Sequence, residues 1–412
     1  MGVCQQSVSS KLHICRGHPR KSITDVATVL IISFSDLKRD PRVSRHIQAL
    51  ASEFQIITCG LAPPRQAVMR HVQIQAQPRR GVAKLTAGAS ILLRDFERFY
   101  WSHPFVIAAW PQLEHESYDV ILANDLLSLP IALRVAKGGA VVFDAHEYSP
   151  GENSHSWLWR TLFFRYCDYL CRTYLHRAHK CFTVCDGIAA AYQHEYGADM
   201  SVIDNAAPFH NLPVRSTNAD NIRMIHHGAA IPARRLERMI EMMEYADARY
   251  TLDFMLVPDA GDYLLRLKSL ARGNPRISFR RPVPTAEIVR CCSEYDIGVY
   301  LLEPINPNHK FALPNKLFEF IQARLAVVIG PSPEMAKIVR KYDCGVVAES
   351  FEPKVLAGLL NCLTCDDIDR LKQNADGAAR VHHAESHAAH LRNIVRSAID
   401  SRKSHAVCGW GQ

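Results

Sequence analysis

Leu313-Pro314-Asn315-Lys316-Leu317-Phe318-Glu319-Phe320-Ile321 sets an amide, an amine and a carboxylate into an otherwise apolar run. Pro314 ahead of a helix start, with Asn315 as N-cap, would aim free backbone N–H groups and the positive end of a helix dipole at one point. Lys316 adds a charge in the first turn. Glu319 lies one turn further on, on the Asn315 side, among neighbours that read as buried, and a buried carboxylate needs a partner. Two chemistries fit these residues. One is a capped core helix whose Glu319 pairs with an arginine; the other is an anion site at a helix N-terminus, with a carboxylate placed for hydroxyl groups.

The elements around this segment alternate. Short β-branched or apolar runs at 27–33, 54–60, 118–123, 140–143, 180–184 and 200–203 read as strands, separated by stretches of helical period. Near-continuous apolar strands between helices indicate a parallel sheet covered on both faces. A Pro-, Asn- and Ser-rich break follows, and the alternation restarts at 223–227, 252–257, 277–279, 295–302, 326–329 and 345–347. The expected organisation is a basic, disordered leader (1–24), an N-terminal Rossmann-like domain (25–205), a linker (206–221), a second Rossmann-like domain (222–383), and a C-terminal helix and tail (384–412) that could pack back on the first domain. The fold class is α/β, with two doubly wound domains facing across a cleft. Such sheets bind ligands beyond the carboxyl ends of their strands.

Composition narrows the classes. The chain has 412 residues, 48% of them apolar and 22% charged, with a net charge of +8, which is a soluble globular balance with room for two cores. No window holds the roughly 18 apolar residues of a spanning helix. Thirteen scattered cysteines, an odd number, favour reduced thiols in a cytoplasmic protein over a disulfide framework. No concentrated basic-aromatic module suggests nucleic acid.

Four segments, in order, resemble the GT-B glycosyltransferases of the family-4 type. Ser35-Asp36-Leu37-Lys38-Arg39-Asp40-Pro41-Arg42-Val43 is similar to the Asp-x-Arg-Val loop that opens the first acceptor-domain helix. Phe143-Asp144-Ala145-His146-Glu147 resembles the family's Asp-x-His-Glu segment. Val202-Ile203-Asp204-Asn205-Ala206-Ala207-Pro208 resembles the strand end before the linker, and Leu313 to Glu319 the Pro-Asn-Lys-x-x-Glu element of the donor domain. The resemblance spans about residues 25–395.

It implies a nucleotide-diphosphate sugar as donor substrate on the C-terminal domain, an acceptor on the N-terminal one, and no further cofactor. Glu319 would hold ribose hydroxyls, since a carboxylate suits a vicinal diol. Asn315, Lys316 and the helix N-terminus would face the diphosphate. His227-Gly228-Ala229-Ala230-Ile231-Pro232-Ala233-Arg234-Arg235 resembles the first donor-domain loop, in which Gly228 admits close backbone approach and Arg235, followed by Arg234, neutralises phosphate. His146 would sit near the transferred sugar, and Glu147 or Asp144 could serve as general base. Asp40 and Arg42 fall in the acceptor loop. The resemblance also implies transfer that retains anomeric configuration and uses no metal.

Two departures from the family pattern stand out. Many relatives carry a second glutamate seven residues before the first, where this chain has Ala312, and Glu303 is too distant to replace it. Phe34-Ser35-Asp36-Leu37 stands in place of a glycine-rich loop.

Residues 90–110 and 157–179 mix aromatic residues and arginines at helical spacing, which suits either an anionic membrane surface near a lipid-linked acceptor or core-facing aromatics with solvated arginines. Cys167, Cys171, Cys181 and Cys185 read as buried thiols rather than zinc ligands. Cys362 and Cys365 have redox spacing without the context for it. His383, His387 and His390 share one face of the tail helix, where packing is favoured over metal binding. The expected function is a glycosyltransferase of surface polysaccharide assembly, cytoplasmic or membrane-peripheral, with a saccharide or lipid-linked acceptor. Its rivals are a nucleotide-sugar epimerase of the same fold and a non-catalytic glycan-binding or scaffold protein, the latter favoured by Ala312.

Overall fold

The computed structural model describes residues 26–151, 159–259 and 261–408. The expected leader at 1–24 lies outside them, as does Trp157.

The first half folds as a seven-stranded, all-parallel sheet: β1 (Thr28–Ile32), β2 (Gln55–Gly60), β3 (Arg70–Gln73), β4 (Val120–Asn124), β5 (Ala140–Ala145), β6 (Lys180–Thr183) and β7 (Ser201–Val202). Their spatial order is β3-β2-β1-β4-β5-β6-β7. The central strands β4 and β5 are buried at every position, which is why they read as unbroken apolar runs. β3 has no counterpart among the expected strands. Its sequence, Arg-His-Val-Gln, is short, polar and half exposed at a sheet edge, so it carries no apolar signal.

The second half builds a six-stranded parallel sheet from β8 (Ile222–Ala229), β9 (Tyr250–Val257), β10 (Ile277–Arg280), β11 (Ile297–Tyr300), β12 (Ala326–Ile329) and β13 (Gly345–Val347), in the order β10-β9-β8-β11-β12-β13. Both sheets therefore reverse strand order beside their first strand, between β1 and β4 and again between β8 and β11. The loops leaving those four strands border the crevices where ligands of such sheets bind.

The two domains touch across the cleft. Asn308 Nδ2 donates to Glu147 Oε2 (2.7 Å), Cys185 Sγ lies 3.3 Å from the Phe311 carbonyl, and Asn205 Nδ2 donates to the Leu313 carbonyl (3.3 Å). The chain then crosses back. After the Cys365–Val381 helix, begun by a Thr364–Asp367 capping box, the Ala384–Cys408 helix leaves the donor side and packs on the first sheet. Leu391, Ile394, Val395 and Ala398 join Val43, Ile47, Val29, Leu122 and Val142 in one core. Arg392 and Arg396 pair with Glu53, and Arg392 also donates to the Ala49 carbonyl (3.0 Å).

Residues 90–110 are three helical pieces rather than one: Gly81–Leu92, Phe96–Trp101 and Pro104–Leu113. Arg94 in left-handed backbone (φ +61°) and the Asp95 cap break the first from the second, and His103-Pro104 opens the third. Many of the aromatics that suited either a membrane face or the core turn inward. Phe96, Phe99, Tyr100, Tyr166 and Tyr174 are buried, and Glu97 gathers the Trp101 indole (2.8 Å) and the Tyr169 (2.9 Å) and Tyr174 (2.5 Å) hydroxyls. No helix among the described residues is long and apolar enough to cross a membrane.

Candidate functional site

On the N-terminal side the site begins at the cap of the first helix, Pro41–Leu50. Asp40 accepts from the Arg42 (3.0 Å) and Val43 (3.1 Å) amides and from Ser35 Oγ (2.7 Å), while Pro41 supplies a preset first turn. That cap fixes Arg42, which is buried and drives its guanidinium into the Asp144 carboxylate: Nε donates to Oδ2 (2.5 Å) and Nη2 to Oδ1. His46 Nε2 stands 3.7 Å from Asp144 Oδ2, but burial and then the Arg42 charge hold the His46 ring well below the usual imidazole range, so it faces Asp144 neutral. Both Asp144 oxygens are thus engaged in a fully buried pair. This corrects the expectation of Asp144 as a general base, because neither oxygen is open to a substrate proton. It also moves Arg42 from the acceptor loop to the support of β5.

β5 ends in the loop that presents His146 and Glu147 to the cleft. Burial, reinforced by Arg42, pulls the His146 ring down to about 4, so near neutrality it is an uncharged donor and acceptor. Glu147 is exposed and holds Asn308 of the opposite domain through Oε2.

Asp125, at the end of β4, was absent from the sequence-based set. Its backbone sits at φ +65°, ψ +157°, a region almost reserved for glycine, and its amide donates to the Asp144 carbonyl (3.0 Å). Such a conformation costs roughly 1–3 kcal/mol and gathers at functional sites. Although its side chain opens to solvent, the crevice walls and then the Asp144 charge raise its carboxyl above the ordinary range, with Arg42 opposing. The only sequence signal was an Asn-Asp pair closing an apolar strand.

On the C-terminal side, Gly228 near the end of β8 has φ +132°, and a Cβ there would stand 3.0 Å from Lys316 Nζ and 3.5 Å from Arg234 Nη1. Two cations therefore converge on backbone that only glycine leaves open. Lys316 is buried over the Tyr300 ring (4.0 Å to its centre), and Nζ is 3.4 Å from His226 Nε2. His226 Nδ1 lies 2.8 Å from the Val299 carbonyl, which fixes the proton on Nδ1 and leaves Nε2 as acceptor toward the lysine. Burial, followed by the Arg234 charge, pushes the Lys316 ammonium well below its ordinary range, against the pull of Glu319.

Arg234, not the favoured Arg235, reaches the cavity. It donates to the Ala229 carbonyl (3.2 Å), whereas Arg235 turns away to pair with Glu303 (2.7 Å), which also holds Arg238 (3.2 Å).

The Asn315–Gln322 helix is capped differently than expected. Pro314 is the N-cap and makes no side-chain bond; Asn315 is the first helical residue, its Oδ1 buried without a hydrogen-bond partner. Glu319 Oε2 lies 3.4 Å from His227 Nε2, itself without a hydrogen bond. Burial holds the His227 ring down to about 3 and lifts the Glu319 carboxyl to about 7, with Lys316 and then Arg45 of the opposite domain pulling it back. Ala312, in place of the second glutamate, lines the cavity.

These groups share one space. A cavity of about 350 Å³ between the domains is lined by His146, Glu147, Arg234, Asn308, Ala312 and Asn315, among others. It brings His146 and Glu147 together with the helix start and Arg234. Lys316, Gly228, Glu319, Arg235, Asp40, Arg42 and Asp144 are not among its lining residues.

Two Rossmann-like sheets with a polar cleft between them are the GT-B architecture. Residues 42–208 match the family model described as Glycosyltransferase Family 4. The chain is thus a GT-B-fold protein resembling that family. Solved structures agree on the fold. Anabaena HepE in complex with UDP-glucose superposes with a TM-score of 0.66 at 13% identity, over 90% of this chain and 100% of that one. Sucrose-phosphate synthase from Thermosynechococcus elongatus gives 0.67 at 14% identity, over 91% and 100%. WaaG, a glycosyltransferase involved in lipopolysaccharide biosynthesis, gives 0.60 at 13% identity, over 89% and 99%. No curated protein matches the sequence.

Proposed function

We propose that this protein is a retaining glycosyltransferase that moves a hexose from a nucleotide-diphosphate sugar to a saccharide or lipid-linked acceptor in surface polysaccharide assembly, at the cytoplasmic side of a membrane. The observation that carries the reading is the convergence of Lys316 and Arg234 on Gly228 at the start of the Asn315–Gln322 helix. In the free protein these charges repel and one is desolvated. A diphosphate would relieve both costs, and as the anomeric C–O bond breaks the same cations would take up the charge left on the leaving group. HepE, the structural neighbour solved with UDP-glucose, makes a UDP-sugar the first donor to try.

In this reading Glu319 accepts from ribose hydroxyls, and neutral His146 holds a hydroxyl of the transferred sugar. The acceptor oxygen forms the new bond to the anomeric carbon. Its proton passes to the departing diphosphate or to a cleft carboxylate, Glu147 or Asp125, and no step calls for a metal. Incubation with UDP-glucose and candidate acceptors, read as UDP release and product anomer, tests it. Acceptor-dependent UDP release with a retained anomer is expected; isomerised free sugar nucleotide, or binding without turnover, would replace it with the epimerase or the non-catalytic reading.

We also propose that an anionic membrane contacts the Gly81–Leu92 helix rather than the aromatic stretch. Val82, Leu85, Leu92 and Leu93 are exposed there by 67–80%. Arg80, Lys84, Arg94 and Arg98 are exposed around them, and Asp95 is the exposed acid within that stretch. Apolar residues ringed by cations favour an anionic lipid surface.

A further inference from the structure

A second polar cluster lies at the hinge, and none of its three members lines the cleft cavity. Asp204 follows β7, where the first domain ends. His382 caps the Cys365–Val381 helix, where the second domain ends, and His387 lies in the first turn of the returning Ala384–Cys408 helix. One oxygen or nitrogen from each falls within 4.8 Å of the others. His387 Nε2 is 3.3 Å from Asp204 Oδ1, and His382 Nε2 makes a close contact with Asp204 Oδ2.

Three observations favour a cation at this point. His387 Nε2 is buried and has no hydrogen-bond partner. The outer contacts hold the set in place: His382 Nδ1 lies 3.2 Å from the Tyr342 hydroxyl, the His382 ring stacks on Phe318 at 5.0 Å, and the Ala206 amide donates to Asp204 Oδ1 (2.9 Å). That is how ligating imidazoles and carboxylates are oriented from behind. A cavity of about 30 Å³ adjoins Asp204 and His387, room for one water. Of the cations beside it, Arg42 is committed to Asp144 and Arg45 donates to Asn205 (2.9 Å).

We propose that Asp204, His382 and His387 bind a divalent transition ion of the zinc type, with a water in the adjoining cavity as fourth ligand, and that this ion pins the hinge between the domains. Two imidazoles and one carboxylate suit zinc, nickel or cobalt and disfavour magnesium or calcium. Ligands about 2.05 Å from a tetrahedral zinc stand about 3.3 Å apart, the His387–Asp204 spacing. The ion takes the place of the proton between His382 and Asp204, and that proton leaves to solvent. Its role would be structural, because it joins the end of each domain to the returning helix.

The test uses full-length, untagged, chelator-treated protein titrated with zinc chloride by calorimetry, with cobalt(II) absorption alongside. The expected result is one equivalent bound at micromolar Kd or tighter, a thermal midpoint raised by several degrees at about a hundredfold excess over Kd, and a cobalt spectrum without thiolate charge transfer. His387→Ala should weaken binding by roughly tenfold or more while leaving the metal-free midpoint near wild type, since its Nε2 makes no hydrogen bond. Asp204→Asn provides a second loss. The proposal is overturned by no binding at 100-micromolar zinc (about that order), by unchanged affinity in His387→Ala, or by thiolate bands placing the metal on cysteine. None of these outcomes bears on donor binding, so this site and the transferase reading fail separately.

Discussion

Arg42 closes both Nε and Nη2 on the Asp144 carboxylate inside the first domain, joining the start of its first helix to the end of β5. The pair does no chemistry on a substrate, but it fixes the strand end from which His146 enters the cleft. Asp144→Asn should therefore act through structure. Removing one partner of a buried ion pair costs about 3–5 kcal/mol, expected as lost amide protection in β4 and β5 by hydrogen exchange while β8–β12 stay protected. Equal loss in both domains would mean the pair does not act locally.

Glu319 carries a pH signature. Its carboxyl is lifted to about 7 from an ordinary 4.5 by burial. An acid raised in the folded state keeps its proton where the unfolded chain has lost it, so stability falls as pH rises from about 4.5 to 7 and stays lower above. Glu319→Gln removes that cost, up to about 3 kcal/mol at pH 8 and close to nothing at pH 4. The variant should melt higher than wild type at pH 8 yet bind UDP-glucose more weakly. A midpoint difference that does not change with pH would contradict this assignment.

Lys316 and Arg234 should be read against the phosphates alone. Lys316→Met and Arg234→Ala are each expected to weaken UDP by roughly ten- to a hundredfold while leaving the weaker binding of uridine unchanged. Calorimetry with both ligands checks it. Because Lys316 is a desolvated cation beside another cation, its loss should not destabilise the free protein; equal weakening of uridine would point to a general collapse of the site.

Leu85→Glu with Leu93→Glu tests the membrane face. Both side chains are exposed by more than 70%, so folding should be untouched. Co-flotation with vesicles containing anionic lipid is expected to drop severalfold, and more steeply in low salt, where the nearby cations count most. Wild type that fails to float with anionic vesicles would remove the membrane from the account.

The strands that position the site were legible because burial on both faces leaves unbroken apolar runs, as in β4 and β5. β3 was not, since a polar edge strand has no such pattern. At the site, the Pro-Asn-Lys-x-x-Glu element drew attention to the right helix, but spacing could not separate Arg234 from Arg235. The choice turns on Glu303, 68 residues away, pairing with Arg235. Asp144 looked like an available carboxylate for the same reason: its partner, Arg42, is 102 residues earlier. Asp125 was hidden in another way, because its distinguishing property is a backbone angle that its residue type does not announce.

The returning Ala384–Cys408 helix has a consequence for synthesis. Its apolar side completes, beside the Pro41–Leu50 helix, one face of the first sheet, so part of that face leaves the ribosome uncovered and must wait for the entire donor half before its cover is complete. Folding one domain after the other, the usual order for nascent chains, cannot finish the first domain here. A stop codon between β13 and Leu391 should thus damage the half of the protein made earliest, and a nascent-chain chaperone has the longest work to do on residues translated first.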